Sequence, residues 1–77
     1  MHELAIVEGV LDMVTERLPD ATICCVRLEV GELSGVVPDS LQFCFELAAE
    51  GTSLQGASLE ITRTPGHDLK IASVKVA

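Results

Sequence analysis

Aromatic and basic residues are scarce in this chain. Its 77 residues include two Phe and neither Tyr nor Trp, so a hydrophobic core must be aliphatic. Five Lys and Arg stand against twelve Asp and Glu, which gives a formal net charge of −7. Nucleic-acid affinity depends on clustered Lys and Arg, so the composition argues against a nucleic-acid-binding surface. An acidic surface suits a cation-binding protein, but it equally suits ordinary solubility.

Long apolar runs and regularly paired cysteines are missing as well. No apolar run reaches the roughly 20 residues of a membrane span. The opening segment lacks a basic stretch and carries acidic residues, unlike a signal peptide. Three cysteines, with Cys24 next to Cys25, are typical neither of a secreted disulfide framework nor of a structural zinc site with two close cysteine pairs. These absences predict a cytoplasmic protein with no membrane partner.

The chain also lacks the signature of an enzyme. The glycine-bracketed segment 31–35 has neither the lysine nor the spacing of a phosphate-binding loop. A single domain over residues 1–77, which is what this length allows, has little room for a substrate cleft. Apolar residues make up 48% of the sequence, which is enough for a core.

Apolar spacing of three and four residues predicts two amphipathic helices. The first ends at Pro19 and Asp20, and we interpret Gly9 in its interior as a close packing contact with a sheet. The second runs from Pro38 to about Glu50, with Gly51 as its C-cap. The expected core-facing positions are Leu4, Val7, Val10, Leu11, Val14 and Leu18 in the first helix, and Leu41, Cys44, Phe45 and Ala48 in the second.

Three stretches alternate in the manner of β-strands. In Thr22–Val30, even-numbered residues from Cys24 to Val30 are predicted to face the core, and Ile23 and Cys25 to face away. This makes Cys25 the thiol nearer solvent and the more readily oxidised one. The second strand is Ala57–Arg63. The third begins at Leu69 and changes parity at residues 72–73, which predicts a β-bulge there.

These elements predict an α+β fold, with two helices packed on one face of a three-stranded mixed sheet in the order α-β-α-β-β. The strand–helix–strand unit should be parallel and right-handed. The sequence Thr64-Pro65-Gly66-His67 has the signature of a type II turn, which predicts that the last two strands form an antiparallel hairpin.

Three segments carry a family resemblance: Met1-His2-Glu3, the run LEVGELSGVVPDSLQFCFE at 28–46, and Gly51–Ile61. Together they resemble the HypA/HybF family, the nickel-insertion accessory proteins of hydrogenase maturation. The family carries a zinc module between its last two strands, and a short turn at about 64–67 stands in its place here. We therefore expect no zinc in this chain. The compact turn favours an engineered minimal domain over a natural variant.

The first three residues are the candidate metal site. The terminal amine, the amide nitrogen of His2 and its imidazole can close two fused chelate rings, and Glu3 can complete a plane. Nitrogen-rich planar sites suit Ni(II) and Cu(II). By residue type alone this signal is weak, but the resemblance implies nickel at Met1, His2 and Glu3. His67 is expected in an exposed turn, and would add an axial ligand only if that turn approached the N-terminus.

The resemblance implies a nickel metallochaperone that delivers Ni(II) to a hydrogenase large-subunit precursor, with a GTPase accessory protein as partner. The alternative is a protein-interaction module of the same fold with no physiological metal role. The short connection between the last strands also raises the expectation of a homodimer formed by strand swapping.

Overall fold

A computed structural model describes residues 3–77 of the chain, which form two helices and three strands. The order confirms the predicted α-β-α-β-β arrangement. The elements are α1 Glu3–Arg17, β1 Ile23–Gly31, α2 Pro38–Ala49, β2 Ser58–Thr64 and β3 Leu69–Val76.

Strand β1 is the centre of a mixed three-stranded sheet with the order β2-β1-β3. It pairs in parallel with β2 and antiparallel with β3. The mixed sheet was predicted, but the hairpin between β2 and β3 is wrong, because these strands lie on opposite edges of β1. The physical reason is that β1 has two edges to pair. A hairpin would have left one edge of the most buried strand without hydrogen-bond partners.

The connection from β2 to β3 therefore crosses the end of β1 at Gly31. The N–H of Gly31 donates to the Asp68 carbonyl at 2.7 Å, and the N–H of Glu32 donates to the Thr64 carbonyl at 2.7 Å. A Cβ atom on Gly31 would lie 2.5 Å from the carbonyl oxygen of Gly66. Gly66 itself has a φ of 96°, as the predicted turn requires at that position. Glycine at position 31 thus lets one backbone segment pass directly over another.

Both helices pack on the face of the sheet that carries Val26, Leu28 and Val30, each at most 1% exposed. Phe45 of α2 and Val7 of α1 are 2% and 1% exposed, so the predicted apolar stripes of both helices face the core. The amide of Gln42 also donates to the carbonyl of a β2 residue at 2.7 Å, which ties α2 to the sheet.

Two predictions about α1 are wrong. Gly9 is exposed, and a Cβ atom placed on it would meet nothing within 4 Å apart from its chain neighbours and the backbone of its own helix. The interior glycine is therefore not required by packing against the sheet. Leu4 is 47% exposed, because the core begins one turn later at Val7.

The sheet contains two interruptions of register. One lies between the pairs Arg27↔Ser73 and Leu28↔Ile71, which leaves Ala72 as the extra residue and confirms the predicted bulge in β3. The other lies between Ile23↔Val76 and Cys25↔Lys75, which leaves Cys24 as the extra residue in β1. This second bulge was not foreseen.

The bulge at Cys24 overturns the predicted facing of the first residues of β1. Ile23 is 2% exposed and belongs to the core, whereas Cys24 is exposed. Cys25 is half-buried, so it is not the thiol nearer solvent. An extra residue shifts the side-chain alternation by one, which moves Ile23 inward and Cys24 outward.

Within residues 3–77, neither helix is long and apolar enough to cross a membrane.

Candidate functional site

Glu3, the first residue of α1, lies against the segment that leads into α2. Its Oε2 accepts a hydrogen bond of 3.3 Å from the N–H of Val37, the N-cap residue of α2, which has no side-chain cap. The Glu3 side chain is half-buried. A carboxylate near the start of a helix is favourable, because unpaired N–H groups give that end a partial positive charge. The contact fixes the start of α1 beside the start of α2.

Asp39 lies in the first turn of α2, two residues beyond Val37, and its side chain is exposed. A negative charge in the first turn is favourable with the helix dipole.

His67 contacts the same connecting segment from the β2–β3 link. Its Nδ1 lies 3.2 Å from the Leu33 carbonyl, and its side chain is exposed, as predicted. Glu3 and His67 therefore contact one segment at Val37 and Leu33 respectively. Within the part of the chain that the structure describes, no group of three or more His, Cys, Asp and Glu side chains is arranged to hold a metal ion. His67 thus forms no such group with Glu3.

Met1 and His2, which carry most of the predicted nickel site, lie outside the described residues. Glu3 is the described member of the predicted set. Its carboxylate accepts a hydrogen bond of 3.3 Å from the N–H of Val37.

The opposite face of the sheet carries a polar cluster centred on Glu60. Its Oε2 accepts a hydrogen bond of 3.3 Å from the Cys25 thiol, and its Oε1 accepts one of 3.2 Å from Arg27. These hydrogen bonds lower the pKa of Glu60, with the contribution of Cys25 first and that of Arg27 next. Partial burial and the hydrogen bond to Glu60 raise the pKa of Cys25. Cys25 is therefore a protonated donor at neutral pH.

Comparisons with known proteins agree with the fold and the resemblance. The family described as "Hydrogenase/urease nickel incorporation, metallochaperone, hypA" matches residues 1–72. "Hydrogenase maturation factor HypA" of Nostoc sp. is 44% identical over 66 residues, which cover 86% of this chain and 58% of that protein. The protein of the same description from Streptomyces avermitilis is 50% identical over 71 residues, covering 87% of this chain and 54% of that protein.

A solved structure shares the architecture. The solution structure of the Ni metallochaperone HypA from Helicobacter pylori superposes with a TM-score of 0.82, covering 99% of this chain and 97% of that chain. At 17% identity, this similarity shows the fold.

The chain spans a little more than half the length of the curated relatives it matches. The family model, however, covers residues 1–72, which include all three predicted nickel ligands. The family is one of maturation factors, which confirms the prediction that the chain is not an enzyme. By the family match and by its identity to curated members, this chain belongs to the HypA family.

Proposed function

We propose that this chain is the nickel-binding domain of a metallochaperone, which binds one Ni(II) ion as cargo through Met1, His2 and Glu3. The observation that carries the proposal is the family match, which starts at Met1.

The donor chemistry of these residues suits nickel. The terminal amine and the amide of His2 close a five-membered ring, and the His2 imidazole closes a six-membered ring on the same ion. Glu3 supplies a further donor. Ni(II) favours such square-planar nitrogen sites. Each amine or amide donor gives up a proton, so affinity rises with pH.

The Glu3 carboxylate also has a structural contact in this proposal. It holds the start of α1 against Val37. Glu3→Gln keeps an oxygen acceptor for Val37, so this contact should persist in the variant.

A nickel titration followed by the absorption of the complex tests the proposal. The parent should bind one Ni(II) per chain, and His2→Ala should abolish the planar spectrum. His67→Ala is the matched control, because it removes the chain's other imidazole, which is exposed and contacts the Leu33 carbonyl. If His67→Ala removed nickel binding and His2→Ala did not, the proposed site would be wrong.

Delivery to a hydrogenase large-subunit precursor, with a GTPase accessory protein as partner, completes the proposed function. An N-terminal site exposes its ligands to stepwise exchange with a receiving protein. Binding of Ni-loaded parent to the precursor, followed by loss of nickel from the chain, would support delivery. Retention of nickel in the presence of both partners would contradict it.

The alternative, an interaction module without a metal role, is favoured by one observation. Phe43 and Leu47 lie one turn apart on α2 and are 63% and 54% exposed. Large apolar side chains exposed together are typical of protein-binding surfaces. The His2→Ala variant distinguishes the two proposed functions. It would retain partner binding if the alternative holds and nickel is incidental.

We also propose that the β2–β3 link at 64–67 replaces the family's zinc module, and that the chain can form a homodimer by exchanging β3. The link is short, and β3 is an edge strand that pairs with β1. An exchanged β3 would keep this pairing in the partner copy. Native mass spectrometry should show a dimer that dissociates slowly, and a purely monomeric chain at all concentrations would refute the exchange.

A further inference from the structure

The bulge in β1 places two adjacent thiols on one surface. Ile23 and Val26 are 2% and 0% exposed and both face the core, so the two residues between them are both directed away from it. In a regular strand, adjacent side chains point to opposite faces. Here Cys24 and Cys25 instead line the same open cavity of about 490 Å³ on the outer face of the sheet. Both are free thiols.

The surroundings of the cysteine pair are polar and carry positive charge. The cavity is also lined by Arg27, Lys75 and Glu60. Glu60 accepts hydrogen bonds from Cys25 at 3.3 Å and from Arg27 at 3.2 Å, which holds the Cys25 side chain at the cavity wall. A negative charge on Cys24 raises the pKa of Cys25 further.

We propose that Cys24 and Cys25 form a dithiolate site for a soft monovalent cation of the Cu(I) class. Thiolate sulfur is the ligand type that selects Cu(I). Two thiols and one monovalent cation give an anionic two-sulfur complex and two released protons, so the charges balance without oxidation or reduction. Arg27 and Lys75 stabilise the resulting negative charge. A divalent ion such as Zn²⁺ usually takes four protein ligands in a structural site, whereas two thiols and one carboxylate line this cavity.

This site is distinct from the proposed nickel site in both chemistry and position. The nickel donors are nitrogen atoms at the N-terminus, whereas the sulfur donors lie on the outer face of β1. The third thiol, Cys44, is half-buried on α2 and packs against the core. Cys44 is therefore the matched control for the sulfur pair.

Competition with the chromophoric Cu(I) chelator bicinchoninate tests the proposal, under anaerobic conditions and in the His2→Ala background, which removes the N-terminal imidazole. The protein should withdraw about one Cu(I) per chain. Cys24→Ser and Cys25→Ser should each weaken binding by more than the roughly 10- to 100-fold that loss of an outer-shell partner costs. Cys44→Ser should bind Cu(I) like the background protein, and circular dichroism checks that each variant is folded.

Two further readouts decide the coordination. X-ray absorption should show two sulfur neighbours on the copper, and native mass spectrometry should show one copper in one chain. The proposal is overturned if the protein does not compete for Cu(I), or if Cys44→Ser loses binding as strongly as the other two variants. It is also overturned if copper is held only between two chains.

Discussion

Replacing Gly31 with Ala should destabilise the domain, because the new Cβ atom meets the backbone of the β2–β3 link. That Cβ would lie 2.5 Å from the carbonyl oxygen of Gly66, 2.8 Å from its carbonyl carbon and 2.9 Å from the nitrogen of Asp68. All three are backbone atoms, so no side chain can rotate away. The φ of Gly31 lies outside the left-handed region, so the clash and not the conformation opposes alanine.

The size of the effect follows from two contributions. Overpacking that forces a backbone shift typically costs about 1–3 kcal/mol. The shift also strains hydrogen bonds at the crossing, which include Gly31 to Asp68 at 2.7 Å, Glu32 to Thr64 at 2.7 Å and Leu33 to Gly66 at 2.8 Å. Each such bond contributes about 1 kcal/mol. We expect Gly31→Ala to lower the free energy of unfolding by about 2–4 kcal/mol, a large part of a typical total of 5–15 kcal/mol.

Gly9→Ala is the matched control, and its effect should have the opposite sign. Gly9 lies inside α1 with open space around its Cα, and alanine is favoured over glycine in a helix by roughly 1 kcal/mol. Thermal unfolding followed by circular dichroism measures both variants. At roughly 4–8 °C per kcal/mol for a domain of this size, Gly31→Ala should melt at least 8 °C below the parent. A Gly31→Ala variant that melts with the parent would refute the crossing of β1 by the link.

Three further predictions concern the core, the metal content and the thiols. Phe45→Ala should lower the free energy of unfolding, measured in urea, by about 3–5 kcal/mol. Phe43→Ala, at a side chain 63% exposed, should change it by no more than about 0.5 kcal/mol. Equal losses for the two variants would contradict the assigned core. Elemental analysis should find no stoichiometric zinc, and one tightly held zinc per chain would overturn this prediction. Because burial and Glu60 raise the pKa of Cys25, its alkylation should be slow at neutral pH and accelerate as pH rises towards that raised pKa. Glu60→Gln should accelerate the reaction at neutral pH and Glu29→Gln should not, as measured by mass spectrometry of the alkylated peptides.

The helices and strands could be predicted from the sequence because their apolar periods are regular. Val7 and Val14 in α1, and Leu41 and Phe45 in α2, lie at helical spacing. The alternation from Val26 to Val30 is that of a strand. The bulge at Ala72 was predictable because the apolar parity of β3 changes there. The bulge at Cys24 was not, since cysteine and isoleucine are both acceptable core residues and either parity looks regular.

The strand order depended on information that no local pattern contains. A Pro-Gly pair at residues 65–66 indicates a turn, and the same turn can join neighbouring strands or cross the end of a third. The distinguishing feature was Gly31, whose missing side chain makes room for the crossing. No sequence pattern indicates this role of Gly31, because its neighbour in space lies more than thirty residues away in the chain.

The donor set of Met1, His2 and Glu3 stays a prediction that rests on its chelating order and the family resemblance. The contact of Glu3 with Val37 comes from the packing of α1 beside the start of α2 and could not be predicted. Such contacts between distant residues leave no period or spacing in the sequence.

Nickel binding by the parent with a free or an acetylated N-terminus tests the central claim most directly. Acetylation removes the terminal amine and leaves every side chain and the spacing to His2 unchanged. The free protein should bind one Ni(II) with a planar absorption spectrum and with an affinity that rises with pH, because the nitrogen donors must lose protons. The acetylated protein should lose that spectrum and bind nickel far more weakly. Equal affinity and identical spectra for the two forms would contradict the N-terminal site and leave His67 and the carboxylates as the candidate ligands.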